Sequence, residues 1–216
     1  MAAAAERADR DPAAVELLPV TKGRPVDVIE ALREAGCPAI GENRVLEAEQ
    51  KQAAFAGRGG IRWHMIGRLQ RNKGRRAIGV FDELESVDSL KLASHLSRVA
   101  LEEGLGPVGI LVQVNTSGEE AKTGLTPGRA VAGIAEICVL PGLRVNGLMT
   151  MAPFTPSETD LRLAFGRARQ LFDRCAAEVP GFGGHVLSMG MSNDFEIAIE
   201  EGSTRVRLGT LLLGEP

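Results

Sequence analysis

Lys22 closes a short apolar run, Leu17-Leu18-Pro19-Val20-Thr21. A lysine amine is the side-chain group that condenses with an aldehyde. Far downstream lie Ser188-Met189-Gly190-Met191-Ser192, Gly202-Ser203-Thr204 and Arg207-Leu208-Gly209-Thr210. Hydroxyls, backbone N–H groups and glycines that let the backbone approach closely are what a phosphate dianion needs. One amine at a strand tip and a distant phosphate cradle suggest an aldehyde cofactor with a phosphate tail. Pyridoxal 5'-phosphate (PLP) joins the two features. The same loops also serve as ordinary turns, and a lysine at a strand end is commonly solvated or ion-paired.

The amine reacts only when unprotonated, so a site must lower its pKa from about 10.4 by desolvation or by adjacent positive charge. Arg24 and Arg207 are candidate neighbours. Arg207 has a second possible role, because the pyridine nitrogen of PLP is usually partnered by Asp or Arg. A guanidinium can only donate a hydrogen bond, so the ring nitrogen would stay neutral and the ring would be a poor electron sink. The competing reading is an exposed Arg207 bridging to Glu200 or Glu201.

The elements that must position these residues follow a βα pattern from residue 17 onward. Strands are expected at 15–20, 39–41, 63–66, 80–86, 108–114, 144–148, 185–187 and 205–208, with helical spacing at 25–35, 43–55, 87–101, 127–137 and 158–177. Pro25 suits a first helical turn, Asp88 or Ser86 can cap the helix after the fourth strand, and Thr126-Pro127 is a capping pair. Gly36, Gly104 and Gly142 fall where helices should stop. Eight βα units match the lower size limit of a (β/α)8 TIM barrel. A doubly wound sheet is the runner-up, weakened because no G-x-G-x-x-G follows the first strand. Barrel chemistry sits on the loops at the carboxyl ends of the strands, often with phosphate after strands seven and eight. Placing Ser203 and Thr204 there requires the short helix over 193–200 to bring the chain back over the top.

Residues 1–216 read as one barrel domain, with an alanine-rich stretch at 1–14 that is frayed or partly helical. Hydrophobic residues make up 44% and charged residues 25%, the balance of an ordinary globular chain. A net charge of -3 gives no global pull toward nucleic acid or acidic lipid. Arg68, Arg71, Lys73, Arg75 and Arg76 cluster without interleaved aromatics, which reads as a solvated loop and helix face rather than a nucleic-acid surface. No apolar stretch approaches membrane-spanning length and no secretory leader is seen, so neither nucleic acid nor membrane is an expected partner and a cytoplasmic protein is expected. Cys37, Cys138 and Cys175 read as buried, reduced thiols. No His, Cys and carboxylate set has metal-ligand spacing, so no metal is expected.

Thr21-Lys22-Gly23-Arg24-Pro25, Gly41-Glu42-Asn43-Arg44, the run from Trp63 to Lys73, Ser86-Val87-Asp88-Ser89, Val112-Gln113-Val114-Asn115-Thr116, Gly147-Leu148-Met149-Thr150 and the stretch from Leu187 through Thr210 occur in an order that resembles the PLP homeostasis family. These are single-domain relatives of the alanine racemase barrel. The resemblance runs from about residue 15 to 214 and implies a fold-type-III PLP-binding barrel with a shortened N-terminal helix. It implies PLP held as an imine on Lys22, with Arg207 at the pyridine nitrogen. Ser188, Ser203, Thr204, Gly209 and Thr210 are then expected near the phosphate, Asn43 beside the ring and Met65 lining the pocket. Two departures bear on the site: S-K-T-K-P reads T-K-G-R-P, replacing a second lysine with Arg24, and G-E-N-Y reads G-E-N-R, removing a tyrosine.

The related racemases use the imine lysine and a tyrosine from an additional domain of a partner subunit. This sequence contains no tyrosine, and the notion of a lysine–tyrosine racemase is set aside on residue inventory. His64 is a candidate second acid/base, although a histidine after a strand tryptophan is more often structural. The expectation is a PLP carrier that serves intracellular PLP homeostasis, acts as a monomer, passes cofactor to PLP-dependent apo-enzymes and has no catalytic residue. The alternative is a racemase or decarboxylase of weak activity.

Overall fold

The computed structural model describes residues 1–56, 59–119 and 123–215. Eight parallel strands carry the architecture: β1 (Glu16–Pro19), β2 (Ala39–Glu42), β3 (Arg62–Met65), β4 (Glu83–Val87), β5 (Val108–Gln113), β6 (Leu143–Met149), β7 (Val186–Ser188) and β8 (Arg205–Leu208). They are joined in the order β1-β8-β7-β6-β5-β4-β3-β2. A parallel bridge between Val20 and Gly41 brings the two remaining edges together, with the Thr21 N–H donating to the Gly41 carbonyl at 3.0 Å. The result is the (β/α)8 barrel that the sequence pattern implies.

The helices are α1 (Ala2–Arg7), α2 (Val26–Glu34), α3 (Val45–Ala54), α4 (Gly74–Val80), α5 (Leu90–Glu102), α6 (Pro127–Cys138), α7 (Glu158–Glu178), α8 (Phe195–Glu200) and α9 (Thr210–Leu213). Among the described residues none is long and apolar enough to cross a membrane. Strand alternation divides the side chains between two layers. Ile40, Trp63, Leu84, Val112, Leu148 and Leu187 join the apolar faces of α5 and α7, through Leu92, Leu96, Phe165 and Phe172, in the main core. The opposite strand faces point into the barrel and are unusually polar: Glu83, Glu85, Ser188, Arg205 and Arg207 are all buried and bonded to one another.

Local signals explain most element boundaries. Gly36 and Gly104 follow the C-caps of α2 and α5 at φ of +82° and +64°, the left-handed turn that ends a helix at least cost to glycine, while Gly142, at +76°, lies in the turn from α6 into β6. Thr126 is the N-cap residue of α6, with Pro127 in its first turn. Pro25 sits one position earlier than expected, as the N-cap of α2.

Two expectations about element bounds are corrected. Residues 80–82 are not part of β4, because the Phe81 N–H donates to the Ala77 carbonyl at 2.9 Å and closes α4 instead. The cap of α5 is Ser89, whose hydroxyl accepts from the Leu92 N–H, while Ser86 lies inside β4 and donates to the Gly67 carbonyl. The alanine-rich start takes the helical one of its two expected forms, as α1, with Ala4 and Ala5 buried in a cluster with Ile199 of α8 and Arg7 paired with Glu196 and Glu200. Of the three free cysteines only Cys175 is fully buried, since Cys37 and Cys138 are half-buried at the core edge.

Candidate cofactor site at the carboxyl end of the barrel

Lys22 stands in the turn after β1, exposed and without an ion pair among the described residues. The chain on either side of it is pinned. Lys51, on α3, donates to the Thr21 carbonyl at 2.7 Å and to Glu42 and Glu47 at 2.7 and 2.8 Å. The Thr21 hydroxyl donates to Glu42 at 2.6 Å, and Glu47 accepts the Gly23 N–H at 2.6 Å. The residues immediately before and after Lys22 are therefore tied to one buried ammonium group. Burial pushes the Glu42 carboxyl above its ordinary range, against the pull of Lys51 and Thr21. Glu47 is held below its ordinary value: burial opposes this, but Lys51 and the Gly23 N–H prevail.

The register of β1 on β8 decides what lies beside that amine. Leu18 pairs with Arg207 and Pro19 with Leu208, and the Val20 N–H donates to the Leu208 carbonyl at 2.8 Å. Leu18 therefore shares the inner face with Arg207, and Lys22 follows two residues after the Val20 bridge, in the turn at the carboxyl end of β1. Gly209 is close enough to β1 that an added Cβ would meet the Val20 Cβ at 3.5 Å. The neighbouring loop after β7 is joined to this corner by the Leu211 N–H, which donates to the Ser192 hydroxyl at 3.3 Å.

Arg207 is buried in the barrel at 3% exposure. Its Nη1 donates to the Ser188 hydroxyl at 2.7 Å and its Nη2 to the Thr150 carbonyl at 2.9 Å, and among the described residues its Nε has no partner. Desolvation lowers the guanidinium from its ordinary value, opposed by Glu85 and Asp194. It does not bridge to Glu200 or Glu201, which bind Arg7 and Arg162 on the outer helices. Arg24 also points elsewhere, to the carbonyls of Gly214 and Glu215, and so fastens the end of the chain over the first βα turn.

Beneath Arg207 lies a charged stack on the barrel axis. Ser188 donates to Glu85 at 2.6 Å, Glu85 meets His64 Nδ1 at 2.9 Å, and Arg205 donates to Glu83 and Glu85 at 2.5 and 2.8 Å. Burial alone would raise the Glu85 carboxyl, but His64, Arg205 and Arg207 outweigh it and hold it at about 2. His64, Glu83 and Glu85 thus form a close cluster of potential metal ligands that linear spacing did not reveal, with the Arg205 guanidinium already supplying the countercharge. His64 belongs to this stack rather than to the neighbourhood of Lys22.

The expected site residues divide by end and by face. Lys22, Asn43, Arg207, Gly209 and Thr210 gather at the carboxyl ends of β1, β2 and β8. Ser188 lies under Arg207 with its hydroxyl used by Glu85 and Arg207, which takes it away from a phosphate position. Ser203 and Thr204 are at the opposite end: the Ser203 hydroxyl lies 2.7 and 2.9 Å from the Met189 and Arg205 carbonyls, either of which can accept its one proton, and Thr204 accepts from the Leu187 N–H and lines the amino-end basin with Glu16 and Val186. Helix α8 must return the chain to the amino end before a parallel strand can begin, so residues just ahead of β8 cannot lie at its carboxyl mouth. Met65 shares a cavity with Asn43, but not on the inner face of the barrel. His64 faces the axis, so alternation turns Met65 outward, where it lines a cavity with Arg44, Leu69 and Arg76. The sequence reading missed Lys51 and Thr150, and it named Ser192 only within the run offered as a phosphate cradle, without singling it out from Ser188.

Residues 2–216 match the alanine racemase N-terminal domain family. A curated pyridoxal phosphate homeostasis protein of Pseudomonas aeruginosa is 41% identical over 211 residues, spanning 98% of this chain and 89% of the relative. The solved structure of PipY from Synechococcus elongatus PCC7942 with PLP bound has a TM-score of 0.87 at 35% identity, covering 98% of both chains. Alanine racemase from Clostridium difficile 630 shares the fold alone, with a TM-score of 0.78 at 17% identity over 94% of this chain and 53% of that one. The chain belongs to the alanine racemase N-terminal domain family and, within it, to the pyridoxal phosphate homeostasis proteins.

Proposed function

We propose that this protein binds and buffers PLP covalently on Lys22, limiting free aldehyde in the cytoplasm and delivering cofactor to PLP-dependent apo-enzymes. The observation that supports the reading is the β1–β8 register, with Leu18 opposite Arg207 and the end of β1 bonded to Leu208, so that the exposed turn carrying Lys22 follows at the same end of the barrel as Gly209-Thr210. The names of the curated relatives and the PLP-bound PipY structure support it.

The residues fit the cofactor on three counts. Arg207 retains an unpartnered Nε, the one kind of partner a neutral ring nitrogen accepts from. The Asn43 Oδ1 is buried without a partner among the described residues, an orphan acceptor after β2 that a ligand donor would satisfy. Ser192, Thr210 and the Gly209 backbone close the corner where a phosphate would be held.

Bound PLP supplies an electrophilic aldehyde and a ring that draws off electrons. Lys22 provides the nucleophilic nitrogen, held in place by the Lys51 clamp on both neighbouring residues. Arg207 donates a hydrogen bond and has no proton to give up, so it leaves the ring nitrogen neutral and the electron sink weak. The chain holds no tyrosine to act as a second base. Retention rather than turnover is what this arrangement favours.

An absorption spectrum of the purified protein, followed by borohydride reduction and peptide mapping, tests the reading. A reduced adduct on Lys22 that Lys22→Ala abolishes is the expected result. An adduct elsewhere, or steady-state turnover of amino-acid enantiomers well above the rate with free PLP, would overturn it.

A further inference from the structure

A cavity of about 300 Å³ lies between the start of α3 and the connection from β3 to α4. It absorbs much of the basic run that the sequence showed after β3. Arg44, Arg68 and Lys73 stand on its rim, exposed and without a hydrogen bond or ion pair among the described residues. Arg76 shares the rim and reaches Glu49 only at 3.5 Å. Other arginines are neutralised at close range: Arg75, next in sequence to Arg76, bonds Glu102 and Glu103, and Arg162 holds Glu158, Glu200 and Glu201. Unpaired cations gathered around one opening repel each other, and an anion seated among them relieves that repulsion.

The floor differs from the rim. Met65 is 1% exposed and Leu69 4% exposed, and together they present an apolar base. No side chain caps α3, and its first residues, Val45 and Leu46, open on the same space. A volume near the lower limit of small-molecule pockets, about 300–1,000 Å³, admits one substituted ring with a compact anionic group and excludes a dinucleotide. An apolar floor with a cationic rim matches a phosphate monoester on a flat body.

We propose that this cavity is a second, non-covalent site for a phosphorylated pyridine of the vitamin B6 class. The identity of the ligand rests on the PLP-carrier reading. The cavity itself rests on its own residues. Asn43 belongs to both places, since it follows β2 at the barrel mouth and also lines the cavity, so a molecule held here waits beside Lys22 rather than on it.

Pyridoxine 5'-phosphate is the probe, because it carries the ring and the phosphate but no aldehyde and cannot bond to Lys22. PLP-loaded protein is reduced with borohydride to occupy Lys22 permanently, then titrated by calorimetry, in parallel with Lys22→Ala protein. Saturable binding is expected in both. The double variant Arg68→Ala/Lys73→Ala should weaken it about tenfold or more, while Arg75→Ala, which removes a paired cation two residues beyond Lys73, should leave it unchanged. Pyridoxine without phosphate and inorganic phosphate without the ring should each bind more weakly than the probe. All three cations are exposed, and matching melting curves show that the variants fold. Equal affinity in the double variant, no binding to either preparation, or tighter binding of a short RNA through the same residues would overturn the proposal. Absence of a Lys22 adduct would instead remove the carrier reading, leaving the Lys22→Ala titration to judge the cavity.

Discussion

Arg207 donates to the Ser188 hydroxyl across 2.7 Å, and that hydroxyl donates onward to Glu85 at 2.6 Å. A guanidinium at the mouth of the barrel is thereby joined to a fully buried carboxylate on its axis. Ser188→Ala leaves one N–H of Arg207 and one oxygen of Glu85 without a bond, a loss of about 1–3 kcal/mol. Urea unfolding should show that loss, with a shifted absorption spectrum and the Lys22 adduct still present. Loss of cofactor affinity at unchanged stability would mean that Ser188 contacts the phosphate instead.

Glu85 makes the fold acid-sensitive in a defined window. Its carboxyl lies at about 2 in the folded chain against an ordinary value of 4.5. A depressed carboxylate stabilises the folded state above the unfolded value, and that stability drains away as pH falls from about 4.5 toward 2. Glu85→Gln should be less stable at neutral pH and should lose part of the fall over this window. A pH–stability curve parallel to that of the wild type would show that other groups carry the acid response.

Lys51 is the group on which the Lys22 turn depends. Lys51→Met strips the ammonium from Glu42 and Glu47 together, and breaking a buried pair from one side costs about 3–5 kcal/mol. The freed turn should also take up PLP less completely, read as the mass gained after borohydride reduction of folded protein. Normal loading in a folded Lys51→Met chain would show that Lys22 needs no clamp.

Ser203 and Thr204 offer a control from the opposite end of the barrel. Ser203→Ala and Thr204→Val should lower the melting temperature, because each hydroxyl serves backbone groups of β7 and β8, yet leave PLP affinity unchanged. Thr210→Ala should do the reverse, weakening PLP about tenfold without a large change in stability. Equilibrium dialysis separates the two patterns, and reduced affinity in the Ser203 variant would return that residue to the site.

Much of the fold was legible from particular residues. The strand at 205–208, the helix stops at Gly36 and Gly104 and the turn at Gly142 follow from local rules, since β-branched runs, periodic apolar faces and left-handed glycines act over a few positions. The face on which Met65 lines its cavity needed a parity argument. Trp63 joins the outer core, so the residue two positions on must share its face, and that inference was available from the sequence. Ser203 and Thr204 needed only the rule that a parallel strand restarts at the amino end.

By itself the sequence determined the eight βα units, the family resemblance, and an amine on the first strand with a guanidinium on the last, because these depend on residue order and short-range periodicity. Only the tertiary structure decided that Ser188 supports Arg207, that Lys51 holds Thr21 directly and Gly23 through Glu47, and that His64, Glu83 and Glu85 gather beside Arg205. Those contacts join residues far apart in the chain, and they exist only once barrel closure and strand register have brought separate strand faces onto one axis.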